Sequence, residues 1–172
     1  MTSFIRCEIL FEVQTNLGGT MNSSKEQLNH FLVVTFNTIL RLEEKTLENL
    51  TNNHLSISEV HLLETIFEMM KKAENTATNI AHAAGITLGS LTTAVKTLEK
   101  KGYVIRERDK KDKRIIHILP TPIATFVNEQ HKVFHERMVE EIVSNLSIQE
   151  EEILINALSK VQSYFGNQTS TN

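Results

Sequence analysis

Apolar residues recur along most of the chain at intervals of three and four, the spacing that places side chains on one face of an α-helix. The first series runs from Leu28 to Leu50 and predicts a helix of roughly seven turns. Two later series, Ile123 to Leu146 and Ile153 to Phe165, predict two C-terminal helices. The first helix is too long to bury its apolar face in a chain of this size. We therefore expect it to meet a second subunit, with packing against the C-terminal helices of the same chain as the alternative.

The middle of the chain predicts three shorter helices. A capping box, Ser56 with Glu59, opens a helix over about 57–71. A short helix then ends at Gly85, and a longer helix capped by Thr87 follows at once. A short helix, a glycine turn and a longer helix predict a helix-turn-helix.

Two runs rich in β-branched residues come next, at 103–105 and 115–119. They flank a charged tip around Asp109 to Lys113, which predicts a β-hairpin. In a winged helix the second helix of the motif enters the major groove, and the hairpin reaches phosphates or the minor groove. The predicted fold class is therefore mainly α, a winged helix-turn-helix with a small β-hairpin wing. The predicted assembly is a homodimer formed through the N- and C-terminal helices.

Charge is unevenly distributed along the chain. Residues 96–114 hold nine basic and four acidic residues, a net charge of +5, whereas the other 153 residues sum to −8. One basic face on an acidic body suits docking on a polyanion in a single orientation. A solvated charge run is the alternative, as is a purely capping role for the hydroxyl residues at the helix start. The candidate DNA contacts are Thr87, Ser90, Thr92, Thr93, Lys96, Arg106, Arg108, Lys110, Lys111, Asp112, Lys113 and Arg114.

Composition narrows the class of protein. With 40% apolar and 23% charged residues, six Gly and two Pro, the chain is neither collagen-like nor disordered. Its one cysteine, Cys7, cannot form an internal disulfide, which fits a reducing cytoplasm. The longest apolar stretch, His30 to Leu40, is about half the length of a membrane span. We expect a cytoplasmic protein that makes no membrane contact.

The sequence resembles the MarR family of bacterial transcription regulators over about residues 24–165. The stretches that carry the resemblance are Asn79-Ile80-Ala81, Ile86 to Thr93, Leu98 to Val104 and Asp112-Lys113-Arg114. The resemblance implies that Arg114 reaches DNA and that Asp112 orients it through a charge-assisted hydrogen bond. It also implies dimerisation helices over 24–51 and 122–165 and a winged helix DNA-binding lobe over 55–120.

Within the family, the chain is most similar to the FabT-type repressors of fatty acid synthesis genes. Phe36-Asn37, Glu43-Glu44 and the run His131 to His135 carry part of this likeness. It implies a repressor of a palindromic operator, with acyl-acyl carrier protein as corepressor. The residues expected to bind the acyl effector are almost entirely apolar, with one polar group, His61: Phe31, Phe36, Ile39, Leu40, His61, Leu62, Phe126 and Phe134. The alternative is that these residues are simply core.

His131 and His135 lie four apart on one helix face, a spacing that can bind zinc. The convenient sources of two further ligands are His30, Glu43, Glu44 and His117. We expect neither a metal nor a cofactor, and interpret the two histidines as polar packing or solvent-exposed groups. The alternative is a MarR-type regulator that responds to zinc or to a small molecule.

An enzyme is not predicted. The chain has no Gly-rich phosphate loop and no Ser nucleophile with a placed His and acid. Glu43 and Glu44 are adjacent and point in different directions on a helix, so they cannot act as one acid/base pair. The expected partners are double-stranded DNA, a second copy of the chain and acyl-acyl carrier protein. A protein-interaction module is the remaining alternative, and its binding would depend weakly on salt.

The two ends of the chain show no pattern of a folded element. Residues 1–23 have no helical periodicity, and Gly18-Gly19 shortly before Met21 is consistent with a translated ribosome-binding sequence. We interpret residues 1–23 as a non-native or disordered extension, with translation starting at Met21. Residues 166–172 are expected to be a disordered tail.

Overall fold

The computed structural model describes residues 23–51 and 54–169. In chain order its elements are α1 (Ser24–Thr51), α2 (Ile57–Lys71), α3 (Ala77–Ala83), α4 (Leu88–Lys100), β1 (Val104–Arg108), β2 (Ile116–Pro120), α5 (Pro122–Ser144) and α6 (Ile148–Thr169). The predicted mainly helical winged helix with a two-stranded wing is confirmed. The homodimer stays a prediction.

The chain divides into two compact units within α1, between Leu42 and Glu43. The described part of the first unit, 23–42, is helical from Ser24 onward, and within it Arg41 Nε donates to the carbonyl of Asn37 at 3.3 Å. Phe31 is 56% exposed there, so this segment buries little of its apolar surface within its own unit.

The core of the second unit is built mainly from α2, α3, α4 and the base of the wing. Its most deeply buried aliphatic residues are Val60, Leu63, Ile66, Ile80, Leu91, Leu98 and Ile118. Each such side chain contributes about 1.5–3 kcal/mol when fully buried. This shared core therefore fixes α4 against the short helix before it and the hairpin after it.

Local caps set the ends of the helices where the sequence predicts them. At the start of α2, Ser56 Oγ accepts from the backbone N–H of Glu59, and a Glu59 carboxylate oxygen accepts from the backbone N–H of Ser56 at 2.8 Å. At the start of α4, the side chain of Thr87 accepts a hydrogen bond from the backbone N–H of Ser90 and caps the helix. Gly85 and Gly102 follow α3 and α4 with φ of 65° and 84°, a left-handed conformation that favours glycine.

The wing is an antiparallel hairpin whose register pairs Val104 with Pro120 and Arg108 with Ile116. A buried asparagine anchors it to the rest of the second unit. Asn75 Nδ2 donates to the carbonyl of Ile118 at 3.0 Å, and the backbone N–H of Ile118 donates to the carbonyl of Asn75 at 2.9 Å. The strand that carries the wing is thereby joined to the start of α3.

The C-terminal boundary is corrected by the structure. Helix α6 continues to Thr169, so the predicted disordered tail does not begin at residue 166. Apolar periodicity ends at Phe165, but a helix continues through polar residues as long as its backbone hydrogen bonds form. Residues 1–22 and 170–172 lie outside the described residues, as does the predicted start at Met21. None of the helices described combines the length and the hydropathy of a membrane span.

Candidate nucleic-acid interface

The twelve residues predicted to contact DNA lie at α4, on β1 and in the turn between β1 and β2. Eleven are exposed, and Asp112 is partly buried. The motif therefore presents them on its surface, where another molecule can reach them.

The hydroxyl residues of α4 are already hydrogen-bonded within the helix. Thr87 Oγ1 accepts from the backbone N–H of Ser90 at 3.1 Å. Thr92 Oγ1 donates to the carbonyl of Leu88 at 2.7 Å, and Thr93 Oγ1 donates to the carbonyl of Gly89 at 3.2 Å. Because those hydroxyl hydrogens point back into the helix, the two threonines offer methyl groups and acceptor lone pairs to a partner. Such groups suit thymine methyls and base amino groups better than phosphates.

Gly89 leaves the first turn of α4 without a side chain. A Cβ built there meets only Thr87 Oγ1, at 3.8 Å, so the protein itself has room for one. The position is exposed. A glycine that packing does not require permits close approach of another molecule to the helix start.

Asp109 shapes the tip of the wing. Its Oδ1 accepts from the backbone N–H groups of Lys111 at 2.7 Å and Asp112 at 2.9 Å. These bonds hold the pKa of Asp109 below its usual value, and the bond from the backbone of Asp112 has the largest effect. Side-chain capping of this kind is typical of Asp in turns, and it is the signal by which the sequence could have revealed this residue.

Arg114 is paired with Asp112 through the charge-assisted hydrogen bonds that the resemblance leads us to expect. Asp112 accepts from Arg114 Nε at 3.1 Å and from Nη2 at 2.9 Å, a two-pronged charge-assisted pair. The side chain of Arg114 is nevertheless 91% exposed. The pairing lowers the pKa of Asp112 and raises that of Arg114, so both groups are charged at neutral pH. The wing therefore presents a fixed guanidinium to solvent.

Arg106 has a different environment, which the sequence did not reveal. Its Nε donates to Glu99 on α4 at 2.9 Å, and its Nη2 donates to the same carboxylate oxygen. The hydrogen bond from Arg106 lowers the pKa of Glu99, and the same bond raises the pKa of Arg106. Arg106 therefore connects β1 to α4, and its charge is partly compensated.

The predicted effector residues divide between the two units. The first unit contains Phe31, Phe36, Ile39 and Leu40, and the second contains His61, Leu62, Phe126 and Phe134. Leu62 is 7% exposed and belongs to the core, as the alternative interpretation held. Phe126 is half exposed, and Phe134 stacks on the ring of His131 with centroids 6.4 Å apart. The acyl-binding surface stays a prediction.

The histidine pair of α5 has acquired acidic partners. His135 lies 3.1 Å from a carboxylate oxygen of Glu43, one of the ligand sources considered from sequence. Glu44 is exposed, and His117 lies in the wing, 3.3 Å from Asp109. Glu64, a residue that sequence reasoning missed, lies 2.7 Å from His131.

Comparison with known proteins agrees with this architecture. Residues 55–116 match the MarR family. The HTH-type transcriptional regulator SarZ of Staphylococcus haemolyticus is 36% identical over 73 residues, 42% of this chain and 48% of SarZ. The HTH-type transcriptional regulator YdgJ of Bacillus subtilis is 28% identical over 105 residues, 61% of this chain and 64% of YdgJ. The matches thus span about half to just under two thirds of these two relatives.

Among solved structures, Streptococcus pneumoniae FabT in complex with DNA is similar, with a TM-score of 0.77 and 29% identity. That likeness covers 84% of this chain and 99% of FabT. The residues that match the family cover α2, the helix-turn-helix and β1, and the match ends at the first residue of β2. Residues 55–116 therefore match the MarR family, and together with β2 they fold as a winged helix.

Proposed function

We propose that this chain is a DNA-binding transcriptional regulator that represses from a palindromic operator. The observation that carries the proposal is the guanidinium of Arg114, fixed by Asp112 and exposed at the tip of a basic wing. The likeness to FabT, a protein crystallised with DNA, supports it. SarZ and YdgJ are transcriptional regulators, which supports a function without catalysis and a place in the cytoplasm beside the chromosome.

In this proposal each element of the winged helix makes one kind of contact. Helix α4 enters the major groove, with Thr92 and Thr93 toward base edges and Lys96 toward phosphate. The wing reaches the adjacent backbone or minor groove through Arg114. A palindrome requires two such lobes, about 34 Å apart, and hence a homodimer.

Exposed apolar residues support the homodimer. Leu28 and Val33 of α1 are 53% and 52% exposed, and Ile148 and Ile153 of α6 are 78% and 68% exposed. Large apolar side chains left in solvent are typical of an interaction surface. We therefore assign 24–51 and 122–165 to dimerisation, with a second copy covering these four residues.

The test is Arg114→Ala. This variant should bind every DNA sequence more weakly and should lower the slope of log affinity against log salt by about one, because one phosphate or minor-groove contact is lost. Lys72→Ala removes an exposed basic residue after α2, outside the candidate DNA contacts and the dimerisation segments, and is the control. Fluorescence anisotropy on an operator and on unrelated DNA, at several salt concentrations, measures both quantities.

Three results would contradict the proposal. An Arg114→Ala variant with wild-type affinity and slope would remove the wing from the interface. Equal losses in Lys72→Ala would show only a general charge effect. Binding of the wild type that does not depend on salt would point to a protein-interaction module.

For the regulated process, we propose control of fatty acid synthesis genes with acyl-acyl carrier protein as corepressor. The likeness to FabT and the exposed apolar face of α1 support this assignment. An apolar face suits a fatty acyl chain better than an anion.

A further inference from the structure

A cluster of imidazole and carboxylate groups joins α1, α2 and α5 in the second unit. His135 Nε2 lies 3.1 Å and His131 Nε2 3.9 Å from Glu43 Oε1. The ligand atoms of these three residues all lie within 4.8 Å of one another. His61 Nε2 lies 3.9 Å from Oε2, the second oxygen of the Glu43 carboxylate. We propose that this cluster binds a divalent transition metal ion, best matched by zinc, with the ligands Glu43, His61, His131 and His135.

The buried position of two of these groups argues for a ligand. Glu43 is 3% exposed and His131 is 1% exposed, so both polar side chains are removed from water. Among the described residues, His131 Nε2 is the buried side-chain atom without a hydrogen-bond partner. Buried polar groups are normally satisfied, because an unpaired one costs free energy. A metal ion would satisfy this nitrogen, whereas the 3.9 Å gap to Glu43 is too long for a hydrogen bond.

The other nitrogen of the His131 ring, Nδ1, also favours a metal ion at Nε2. Nδ1 lies 2.7 Å from Glu64 Oε1, and because an ionised carboxylate can only accept, Nδ1 carries the hydrogen. In a neutral ring the lone pair is then on Nε2, the atom that faces Glu43. A carboxylate that holds the distal nitrogen of a metal-binding histidine is a recurrent arrangement around zinc. An ordinary ion pair between His135 and Glu43 would require neither this tautomer nor the unpaired nitrogen.

The ligand chemistry selects the metal. Three imidazoles and one carboxylate match zinc, whose nitrogen and oxygen ligands lie about 2.0–2.2 Å away in a tetrahedron. Calcium and magnesium prefer sites built from oxygen. Ligand atoms around tetrahedral zinc are about 3.3 Å apart, so binding requires the separations among Glu43, His131 and His135, which run from 3.1 Å to at most 4.8 Å, to contract, and requires His61 to move in from its place 3.9 Å from Glu43 Oε2. The half-exposed ring of His61 can make that movement.

A zinc titration of the full chain tests the proposal. Protein freed of metal with a chelator is titrated with zinc against a chromophoric competitor, and magnesium is the control ion. We expect one zinc per chain, no magnesium binding, and a higher unfolding temperature with zinc, because the ion binds only the folded arrangement of three helices. Cobalt should give the intense visible absorption of a four-coordinate site.

Single substitutions identify the ligands. His135→Ala changes a partly exposed ring and should lower zinc affinity by about 100-fold or more. Glu64→Gln, which leaves every ligand in place, should lower it by about 10- to 100-fold. His82→Ala removes an exposed histidine from α3 and should bind zinc like the wild type. Circular dichroism of each metal-free variant shows whether it is folded.

The proposal is overturned by either of two results. One is a wild-type protein that takes up no zinc at micromolar concentration. The other is a folded His135→Ala variant that binds zinc as tightly as wild type and His82→Ala, which would assign the uptake to surface histidines. The cobalt spectrum of His61→Ala tests the fourth ligand. A spectrum that differs from that of the wild type supports His61 as the ligand, whereas an unchanged spectrum rules His61 out and assigns the position to water.

Discussion

At the scale of single residues, two arginines of the wing both pair with a carboxylate but differ in the position of that partner and in their exposure to solvent. Arg114 pairs with Asp112 two residues away, so the pair belongs to one turn and its guanidinium remains exposed. Arg106 pairs with Glu99 across the junction of β1 and α4, and its side chain is 36% exposed. Loss of Arg114 should remove the proposed contact with DNA, whereas loss of Arg106 should remove the ion pair that connects the wing to α4.

At Gly89, one substitution should raise the stability of the fold and weaken DNA binding. Gly89→Ala should raise the free energy of unfolding by up to about 1 kcal/mol, because alanine is the better helix former and the protein has room for the added methyl. The same methyl would face the major groove and should weaken operator binding. Urea unfolding and fluorescence anisotropy measure the two effects.

Gly166→Ala is the matched control for that substitution, since a Cβ at this position in α6 meets nothing within 4 Å. It should leave operator binding unchanged. An operator affinity of Gly89→Ala equal to that of wild type would mean that the start of α4 is not in close contact with DNA.

At the scale of elements, the sequence predicts features that a few neighbouring residues determine. The capping box at Ser56, the left-handed glycines after α3 and α4, and the hairpin all depend on short-range geometry, and each appears where predicted. The partners of His131 were not predictable in this way, because Glu64 is 67 residues away and meets it only when α2 packs on α5. The burial of Leu62 in the core was not predictable either, since periodicity shows an apolar face but not what covers it.

Glu59 illustrates how one side chain joins two elements. Besides capping α2, its carboxylate oxygens accept from Lys101 Nζ at 2.7 and 2.8 Å, at the end of α4. Burial raises the pKa of Glu59, but the hydrogen bonds from Lys101 and Ser56 outweigh it and the pKa lies below 4.5. The ionised carboxylate therefore stabilises the fold above the pKa of the unfolded chain, and this stabilisation is lost as the pH falls through the folded pKa.

Glu59→Gln should accordingly lower the free energy of unfolding at pH 7 by about 1–2 kcal/mol, because a cap and a partly buried ion pair are both weakened. The difference from wild type should shrink as the pH falls below 4.5. Glu68→Gln, which breaks an exposed pair with Lys71 on the same helix, is the control and should have no measurable effect. Urea unfolding at several pH values makes the comparison, and a difference that does not depend on pH would rule out the ionised pair as its cause.

At the scale of the whole molecule, the proposed function assigns the charged and the apolar surface to different partners. The +5 of residues 96–114 would attract DNA, and the −8 of the other residues would keep the remaining surface away from it. The exposed apolar residues of α1 and α6 lie outside that basic segment, so covering them need not compete with DNA. In the proposed dimer, an effector that binds an apolar face can then alter the spacing of the two copies of α4, which DNA with a fixed half-site separation converts into affinity.

The last prediction follows from that coupling. Long-chain acyl-acyl carrier protein should strengthen operator binding by roughly 5- to 150-fold, the usual range for coupled sites, because its acyl chain covers the exposed apolar residues of α1, Phe31, Phe36 and Leu40. Unacylated carrier protein supplies the same charged surface without the chain and should have little effect. A gel shift with each form, with and without zinc, separates the effectors. If acylated carrier protein changes nothing, while zinc strengthens binding and His131→Ala abolishes that gain, regulation belongs to the metal site and not to fatty acid synthesis.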